Sequence, residues 1–247
     1  MTSTYVLGCR VDAVGRADAV ERIAALAAAP SPSIVVTLGV EMVMEAQRNT
    51  RFRALVNRAA LSLCDTVGIL LASRLRGGPL RERVTGVDLI GPLAERSARG
   101  GDLRLFLFGA APGVVERAAA ALTRDHPGVR VAGTRNGYFA PEESAAIART
   151  IAQSGANVVL VGLGSPKQEF WLEEHLGATG ASVGIGVGGS FDVLAGAVVR
   201  APRVLRRAGL EWLYRLIREP ARWRRQLALP RFALAAFREA FSPRGHK

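Results

Sequence analysis

The residues best suited to chemistry lie at a strand–glycine–helix junction, NVVLVGLGSPKQ at 157–168. An apolar run ends in two glycines, and a helix-start signal follows in which Ser165 caps, Pro166 takes the first helical position and Gln168 completes a capping box. Free N–H groups at such a helix start, together with Lys167, favour binding of an anion. The segment therefore predicts a phosphate site above the end of a strand, although many turns of this composition bind nothing.

Single carboxylates at other strand ends are the second group of candidates. Asp65 follows the buried strand pattern ALSLC and precedes a helix, so it is either a helix cap, which the local pattern favours, or a catalytic base. Asp88 in RVTGVDL has the same two interpretations. Asp192 follows a Gly-Gly turn and could hold a ribose or base, whereas Arg83 and Thr85 could reach a phosphate or sugar.

Several common site types are missing from the sequence. There is no Asp-X-Asp triplet, which argues against a metal-dependent nucleotide-sugar site, and the three histidines have no metal-ligand spacing. Neither a Gly-X-Ser-X-Gly elbow nor a GxxxxGK[ST] loop occurs. GLGSPK lacks the last glycine of G-x-G-x-x-G, which weakens the case for a nicotinamide-dependent oxidoreductase. We therefore predict no metal and no cofactor.

Composition indicates a folded intracellular protein. The chain has 247 residues, 49% of them hydrophobic, which is enough for a full core and excludes disorder. Cys9 and Cys64 are expected to be buried, inert thiols, because they form no disulfide framework. No signal peptide or membrane span is evident, and the uncharged stretch at 176–191 is rich in glycine, as expected of a buried strand with turns. We expect a cytoplasmic protein, soluble or peripheral on the inner face of the membrane.

Strand and helix patterns alternate along the chain and must position these groups. We predict strands near 34–37, 60–64, 103–108, 129–133, 157–161 and 182–187. Helices are predicted near 17–29, 40–57, 66–75, 88–99, 113–124, 141–153 and 166–176. Such alternation indicates an α/β fold of the Rossmann-like type, a largely parallel sheet with helices on both faces. The N-terminal YVLGCRVDAV is expected to add an edge strand or a hairpin.

Glycines recur just past the predicted strand ends. They are Gly109 and Gly113, Gly133 and Gly137, Gly162 and Gly164, and Gly188 and Gly189. In a doubly wound sheet these ends border one crevice, which is where ligands bind.

The β/α pattern stops near residue 200, so we divide the chain into an α/β core at 1–199 and an arginine-rich helical appendage at 200–247. The net charge is +12. The interval 200–231 alone carries ten arginines against two glutamates, among Trp, Leu and Phe. This pattern suits an interfacial helix on anionic lipid. The alternatives are a solvated basic face, nucleic-acid binding, or a C-terminal helix that packs on the core.

Taken together, the motifs resemble the WecG/TagA/CpsF glycosyltransferase family over nearly the whole chain. The matching segments are DTVGI at 65–69, RVTGVDL at 83–89, LFGAAPGV at 107–114, NGYF at 136–139, VGLGSPKQEFW at 161–171, GVGGSFDVLAG at 186–196, RAP at 200–202 and GLEWLYRLIREPARWRR at 209–225.

The resemblance implies a metal-independent inverting transferase that moves a sugar from a UDP-sugar to a polyprenyl-diphosphate-linked acceptor in cell-surface polysaccharide or teichoic acid synthesis. It assigns the general base to Asp65 and places Thr37 and Arg83 near the reacting sugar and the diphosphates. The resemblance also implies that the nucleotide pocket contains Tyr138, Gln168, Gly189 and Asp192. The glycine-rich turns add Gly109, Gly164 and Lys167 as candidate binding residues. The tail residues Arg215, Arg222 and Arg225 would bind the acceptor diphosphate and lipid headgroups.

Two departures from the family pattern bear on the donor. The usual Thr-X-Asn reads Thr37-Leu38-Gly39 here, and the usual Asp-Gly reads Asp65-Thr66. The first removes an amide beside the sugar, so the donor is left open. Under this hypothesis the protein binds no nucleic acid, and it could form a homo-oligomer. The competing hypotheses are a nucleic-acid-binding module that uses the basic tail and a nicotinamide-dependent oxidoreductase.

Overall fold

The structure is a computed structural model that describes residues 2–100, 102–207, 209–218 and 227–241. The side chains of residues 203, 207 and 215 are also outside the description.

A six-stranded parallel sheet organises the chain. Its strands are β3 (Ser33–Leu38), β4 (Leu61–Cys64), β5 (Leu105–Gly109), β6 (Val131–Arg135), β7 (Val158–Gly162) and β8 (Val183–Gly186). They are ordered β4-β3-β8-β7-β5-β6. The chain runs from β3 outward to β4, then crosses to the other half of the sheet before returning through β7 to β8. The predicted parallel α/β fold is confirmed.

The N-terminal segment forms a hairpin separate from the main sheet. Strands β1 (Ser3–Val6) and β2 (Cys9–Asp12) pair antiparallel. Asp12 ties the hairpin to the sheet, because its buried Oδ2 accepts a hydrogen bond of 2.8 Å from the backbone N–H of Ser62. Of the two predicted possibilities, the hairpin is therefore the one observed.

Twelve helices within the described residues cover the sheet. They are α1 (Arg16–Ala27), α2 (Val40–Arg48), α3 (Thr50–Arg58), α4 (Val67–Leu75), α5 (Gly86–Ala98), α6 (Val114–Asp125), α7 (Ser144–Gln153), α8 (Lys167–His175), α9 (Ser190–Leu194), α10 (Arg203–Arg207), α11 (Glu211–Arg218) and α12 (Ala228–Phe241).

Alternate side chains of each strand enter different apolar clusters, because successive residues of a strand point to opposite faces. In β5, Leu105 and Leu107 join a cluster that also contains buried residues of α1, α5 and α6. Phe106 and Phe108 point the other way, to a cluster with α7 and α8. Both faces of the sheet are thus buried, as a parallel sheet requires.

One predicted helix is divided in two. The pattern at 40–57 predicts a continuous helix, but the chain breaks at Asn49, whose backbone is extended. The Asn49 side chain accepts a hydrogen bond of 3.0 Å from the Phe52 N–H and so caps α3. An asparagine that can cap a new helix competes with helix continuation, which is the reason for the break.

Helix α12 packs on the core. Phe232 and Ala236 are buried in the cluster formed by α2, α3 and α4. Glu239 accepts a hydrogen bond from the Leu7 N–H at 3.1 Å and pairs with Arg76 at 3.2 Å. The last described helix is therefore fastened to both the core and the N-terminal hairpin.

Gly109, at the end of β5, is required by backbone packing. Its φ is +135°, and a Cβ there would collide with the backbone of Gly162 in β7. We expect Gly109→Ala to lower the free energy of unfolding by about 3–5 kcal/mol, since the clash adds to the strain of a positive φ. Gly155→Ala is the matched control: its φ is +68° but a Cβ would meet nothing within 4 Å, so the cost should be about 1 kcal/mol. Equal losses in urea denaturation would contradict this packing role.

Candidate active site

A cavity of about 300 Å³ lies at the carboxyl ends of the strands. It is bordered by the segments that follow β4, β3, β8 and β7, which are adjacent in the sheet. Its lining includes Thr37, Gly39, Asp65, Arg83 and Gln168. This is the crevice position at which doubly wound sheets bind ligands, and the volume is at the lower end of small-molecule sites.

The floor of the cavity is the point at which β3 and β8 part. Val36 is the last residue of β3 paired with β8, opposite Gly186. One residue further, the Thr37 hydroxyl donates a hydrogen bond of 2.7 Å to the Gly186 carbonyl. The Thr37 side chain thus links the two strands at the point where their backbone pairing ends.

Asp65 follows β4 directly and lines the cavity. Its Oδ1 accepts a hydrogen bond of 3.2 Å from the N–H of Gly86, the first residue of α5. A Cβ added at Gly39 would lie 4.0 Å from Asp65 Oδ2, so Gly39 leaves room for a ligand beside this oxygen. The carboxylate therefore holds a helix start with one oxygen and borders the cavity.

Helix N-termini converge on the cavity. The first residues of α2, α4 and α5, or the residues directly before them, line it, as do Gly164, Ser165 and Gln168 at the start of α8. Each of these helices has nine residues or more. Four N-terminal dipole ends directed at one space favour a strongly anionic ligand there.

Two arginines of the lining are held by carboxylates. Arg200 binds Asp88 in a fork, with Nη1–Oδ1 at 2.6 Å and Nη2–Oδ2 at 2.8 Å. Glu211, at the start of α11, lies 3.5 Å from Arg200 Nε and 3.9 Å from Arg83 Nη1. Arg83 also donates to the Arg206 carbonyl at 3.1 Å. The chain after residue 199 is thereby fixed against the core at the cavity wall.

The charge of Asp88 depends on this network. Burial opposes its ionisation, but hydrogen bonds from Arg200 and Thr85 outweigh burial and hold the pKa of Asp88 below its usual value. Thr85 also caps α5 by accepting from the Asp88 N–H at 3.2 Å. Asp88 is thus an ion-pair partner at a helix start.

Gln168 enters the site in a different way from the one predicted. The helix begins at Lys167 with Pro166 before it, and no side chain caps it, so the Ser165 cap and the capping box do not form. Gln168 turns inward instead, where it is 2% exposed, and its Oε1 accepts a hydrogen bond of 3.1 Å from the Gly188 N–H. The side chain connects α8 to the Gly188–Gly189 turn.

The predicted binding residues fall into two groups. Those that line the cavity are Thr37, Asp65, Arg83, Gly164, Gln168 and Gly189. Outside this lining, Gly109 packs on Gly162, and Lys167 places its Nζ 4.6 Å from the Phe139 ring centroid. Tyr138 is 71% exposed in the loop after β6, and Asp192 lies in the first turn of α9.

The three tail arginines are not placed relative to the cavity. Arg222 and Arg225 lie outside the described residues, and the backbone of Arg215 lies in α11. The appendage does reach the cavity, because Gly209, Glu211, Trp212 and Leu229 line it.

The sequence predictions missed several lining residues. Arg200 and Glu211 occur in segments that carry the family resemblance. Nothing in the local sequence indicated that Arg200 pairs with Asp88, because the two residues are 112 positions apart.

Both thiols are buried as expected, and burial raises the pKa of Cys64 to about 12. Within the described ranges, no three His, Cys, Asp or Glu side chains come together as metal ligands.

The fold and cavity define a doubly wound α/β protein in which four helix N-termini border a cavity at the carboxyl edge of the sheet. Residues 4–246 match the glycosyl transferase WecG/TagA/CpsF family, and the chain belongs to this family. It is therefore a glycosyltransferase, which favours that hypothesis over the nucleic-acid-binding and oxidoreductase alternatives.

Two curated relatives carry the same name, N-acetylglucosaminyldiphosphoundecaprenol N-acetyl-beta-D-mannosaminyltransferase. The protein from Bacillus spizizenii strain W23 is 37% identical over 206 residues, which is 83% of this chain and 79% of the relative. The protein from Bacillus subtilis strain 168 is 32% identical over 207 residues, which is 84% of this chain and 80% of the relative.

The Asp88–Arg200 pair should stabilise the protein in a pH-dependent way. We expect Asp88→Asn to lower the free energy of unfolding at pH 7 by about 1–2 kcal/mol, a moderate value because the pair is partly exposed. A carboxyl whose pKa is depressed by folding stabilises above its unfolded pKa and loses that contribution as the pH falls through its folded pKa. The difference from the wild type should therefore shrink below about pH 4.

Urea denaturation at several pH values measures this effect. Asp125→Asn is the control, because Asp125 is an exposed carboxylate paired only with its neighbour Arg124, and it should leave stability almost unchanged. A difference between Asp88→Asn and the wild type that stays constant down to pH 3 would show that charge is not its cause.

Proposed function

We propose that this enzyme transfers a sugar of the N-acetylmannosamine type from a UDP-sugar to a polyprenyl-diphosphate-linked acceptor, with inversion and without a metal ion. The observation that carries the proposal is the placement of the Asp65 carboxylate in a cavity at which four helix N-termini and two arginines converge. The names of both relatives support a lipid-linked acceptor and a mannosaminyl donor. The pathway would be synthesis of a cell-surface polysaccharide or teichoic acid.

In this proposal Asp65 is the general base. It takes the proton of the acceptor hydroxyl while that oxygen bonds to the anomeric carbon and the bond from this carbon to UDP breaks. Oδ1 is held by the Gly86 N–H, and Oδ2 lies on the side of Gly39, another residue that lines the cavity. A base with one fixed oxygen keeps its orientation throughout the reaction.

The leaving diphosphate would be stabilised by the positive N-terminal ends of helices and by an arginine. The N-termini of α2, α4, α5 and α8 direct N–H groups toward the cavity, and Arg83 lies in its wall. Such donors compensate the charge that develops on UDP. Thr37 would stay near the reacting sugar, and the turn that contains Gly189 would hold part of the nucleotide together with Gln168. Tyr138 and Asp192, beyond the lining, would extend the nucleotide site.

The acceptor would approach along the appendage from an anionic membrane surface. Helix α12 has two different faces. Its inner face packs on the core through Phe232 and Ala236. Its outer face is exposed and repeats at helical spacing. It consists of Pro230, Arg231, Leu234, Phe237, Arg238 and Phe241, and the exposed Leu227 directly precedes the helix. An apolar stripe with two arginines is the composition of a helix that lies in the headgroup layer.

This outer face adjoins the proposed active site, since Leu229 of the same helix lines the cavity. A protein docked through α12 would therefore present the cavity close to the headgroup layer, where a lipid-linked diphosphate is found. Arg215, Arg222 and Arg225 would bind that diphosphate and the headgroups. Within the described residues, no helix is both long and apolar enough to cross a membrane.

A donor panel tests the proposal. The purified protein is incubated with several UDP-sugars and a short-chain polyprenyl-diphosphate N-acetylglucosaminide, and both UDP and the disaccharide lipid are measured. We expect transfer with at least one donor, UDP-N-acetylmannosamine first, and product with the inverted anomeric configuration. Absence of UDP release and of product with every donor would refute the proposal.

Replacement of Asp65 tests the catalytic assignment. We expect Asp65→Asn to bind UDP as the wild type does but to lose 10²–10⁴-fold in turnover, approximately the contribution of a general base. Asp125→Asn removes an exposed carboxylate outside the cavity lining and serves as the activity control. If Asp65→Asn turned over within a few-fold of the wild type, Asp65 would not be the general base and its role would be structural, as in its hydrogen bond with Gly86.

The outer face of α12 is tested by a double replacement, Leu234→Glu with Phe237→Glu. Both side chains are exposed, so folding should be preserved in circular dichroism, but partition into anionic vesicles should fall at least tenfold, because each loses about 1.5 kcal/mol or more of apolar burial. Wild-type binding should weaken with salt, because arginines near an anionic surface contribute about 1 kcal/mol each.

The matched control is Ala120→Glu, which adds a charge to the exposed side of α6 on the other face of the sheet. It should co-sediment with vesicles like the wild type. A double variant that still binds vesicles, or a wild type that ignores vesicles of any charge, would disprove membrane docking through α12.

A further inference from the structure

Glu169, the second residue of α8, is a buried acid next to the proposed active site. Only 1% of the surface of Glu169 is exposed to solvent. Burial raises the pKa of Glu169, although the Gln168 and Ser165 side chains oppose this shift. Among the described residues no lysine, arginine or histidine forms an ion pair with it. A carboxyl group is costly in such a place unless it makes specific hydrogen bonds.

One hydrogen bond of Glu169 is to a residue that lines the cavity, Gln168. Glu169 Oε1 accepts from Gln168 Nε2 at 2.7 Å, and Gln168 Oε1 accepts from the Gly188 N–H at 3.1 Å. An amide side chain has two ends of nearly equal shape, and only its partners decide which end points where. An ionised Glu169 offers only acceptor oxygens and selects the NH₂ end of the amide, and a protonated Glu169 can still accept from that end through its carbonyl oxygen.

The pair is pressed against the end of β8. A Cβ at Gly186 would lie 2.6 Å from Gln168 Nε2 and 3.0 Å from Glu169 Oε1. Gly186 is also the residue whose carbonyl receives the Thr37 hydroxyl. The orientation of the Gln168 amide therefore depends on Glu169 at its NH₂ end and on the Gly188 N–H at its oxygen.

We propose that Glu169 is a positioning residue of this glycosyltransferase, which fixes the Gln168 amide and, through it, the Gly188–Gly189 turn that borders the nucleotide site. Glu169 does not line the cavity and touches no substrate in this role. It acts by keeping the Gln168 oxygen on the Gly188 N–H, so that the turn is already in its binding conformation before UDP enters. This role rests on the proposed function, because it assumes that UDP occupies the cavity.

Calorimetric titration with UDP tests the role. Glu169→Leu keeps most of the volume but offers no acceptor, and we expect it to weaken UDP binding about tenfold, equal to about 1.4 kcal/mol. Glu169→Gln supplies an acceptor oxygen of the same geometry and should restore binding to within about threefold of the wild type. Thermal unfolding of each variant is measured in parallel.

A double-mutant cycle separates positioning from a general structural effect. If Glu169 acts through Gln168, Glu169→Leu should weaken UDP binding in the wild-type background but not further in Gln168→Ala. Equal losses in both backgrounds, no loss in a folded Glu169→Leu variant, or a Glu169→Gln variant as defective as Glu169→Leu would each overturn the role.

Wild-type binding distinguishes this failure from that of the proposed function. A wild-type protein that binds no UDP refutes the proposed donor and the positioning role with it. A wild-type protein that binds UDP while the cycle shows no coupling refutes the positioning role alone.

Discussion

The arrangement of this site depends on how two central parallel strands separate. Up to Val36 and Gly186, β3 and β8 are paired by backbone hydrogen bonds. Beyond that point the Thr37 hydroxyl takes over the Gly186 carbonyl, and the two chains diverge to leave the cavity between them. A buried carbonyl without a partner would be costly, so a hydroxyl at this position permits an opening that a purely apolar side chain would not.

Glycines at the ends of β5, β7 and β8 allow the close packing that surrounds the cavity. Gly109 and Gly162 bring β5 and β7 into backbone contact, and Gly186 gives the Gln168–Glu169 pair its place against β8. Gly109, Gly162 and Gly186 therefore act through close packing and are not themselves among the residues that line the cavity. A turn that is rich in glycine can thus shape a binding site without contributing a ligand contact.

Local features were predictable from the sequence, and long-range ones were not. Asp65 and Gln168 could be recognised as candidates because consecutive residues indicate where a strand ends and a helix begins, although the capping role predicted for Gln168 was wrong. The fork between Arg200 and Asp88 joins segments far apart in the chain, and no periodicity encodes it. The neighbour of Lys167 was likewise not predictable, because Phe139, whose ring lies under its ammonium group, is in the loop after another strand.

The charges of the cavity also explain why net charge is a poor guide to its chemistry. Although the chain is strongly basic, the two arginines of the lining, Arg83 and Arg200, already face the carboxylates of Glu211 and Asp88. The attraction for an anion must then come largely from backbone dipoles, which are fixed by the fold and need no counter-ion. Glu211 belongs to the appendage, so the same ion pairs that balance these arginines attach α11 to the cavity wall. A diphosphate that competed for Arg83 would loosen this attachment, so ligand binding at Arg83 would be coupled to the position of the appendage.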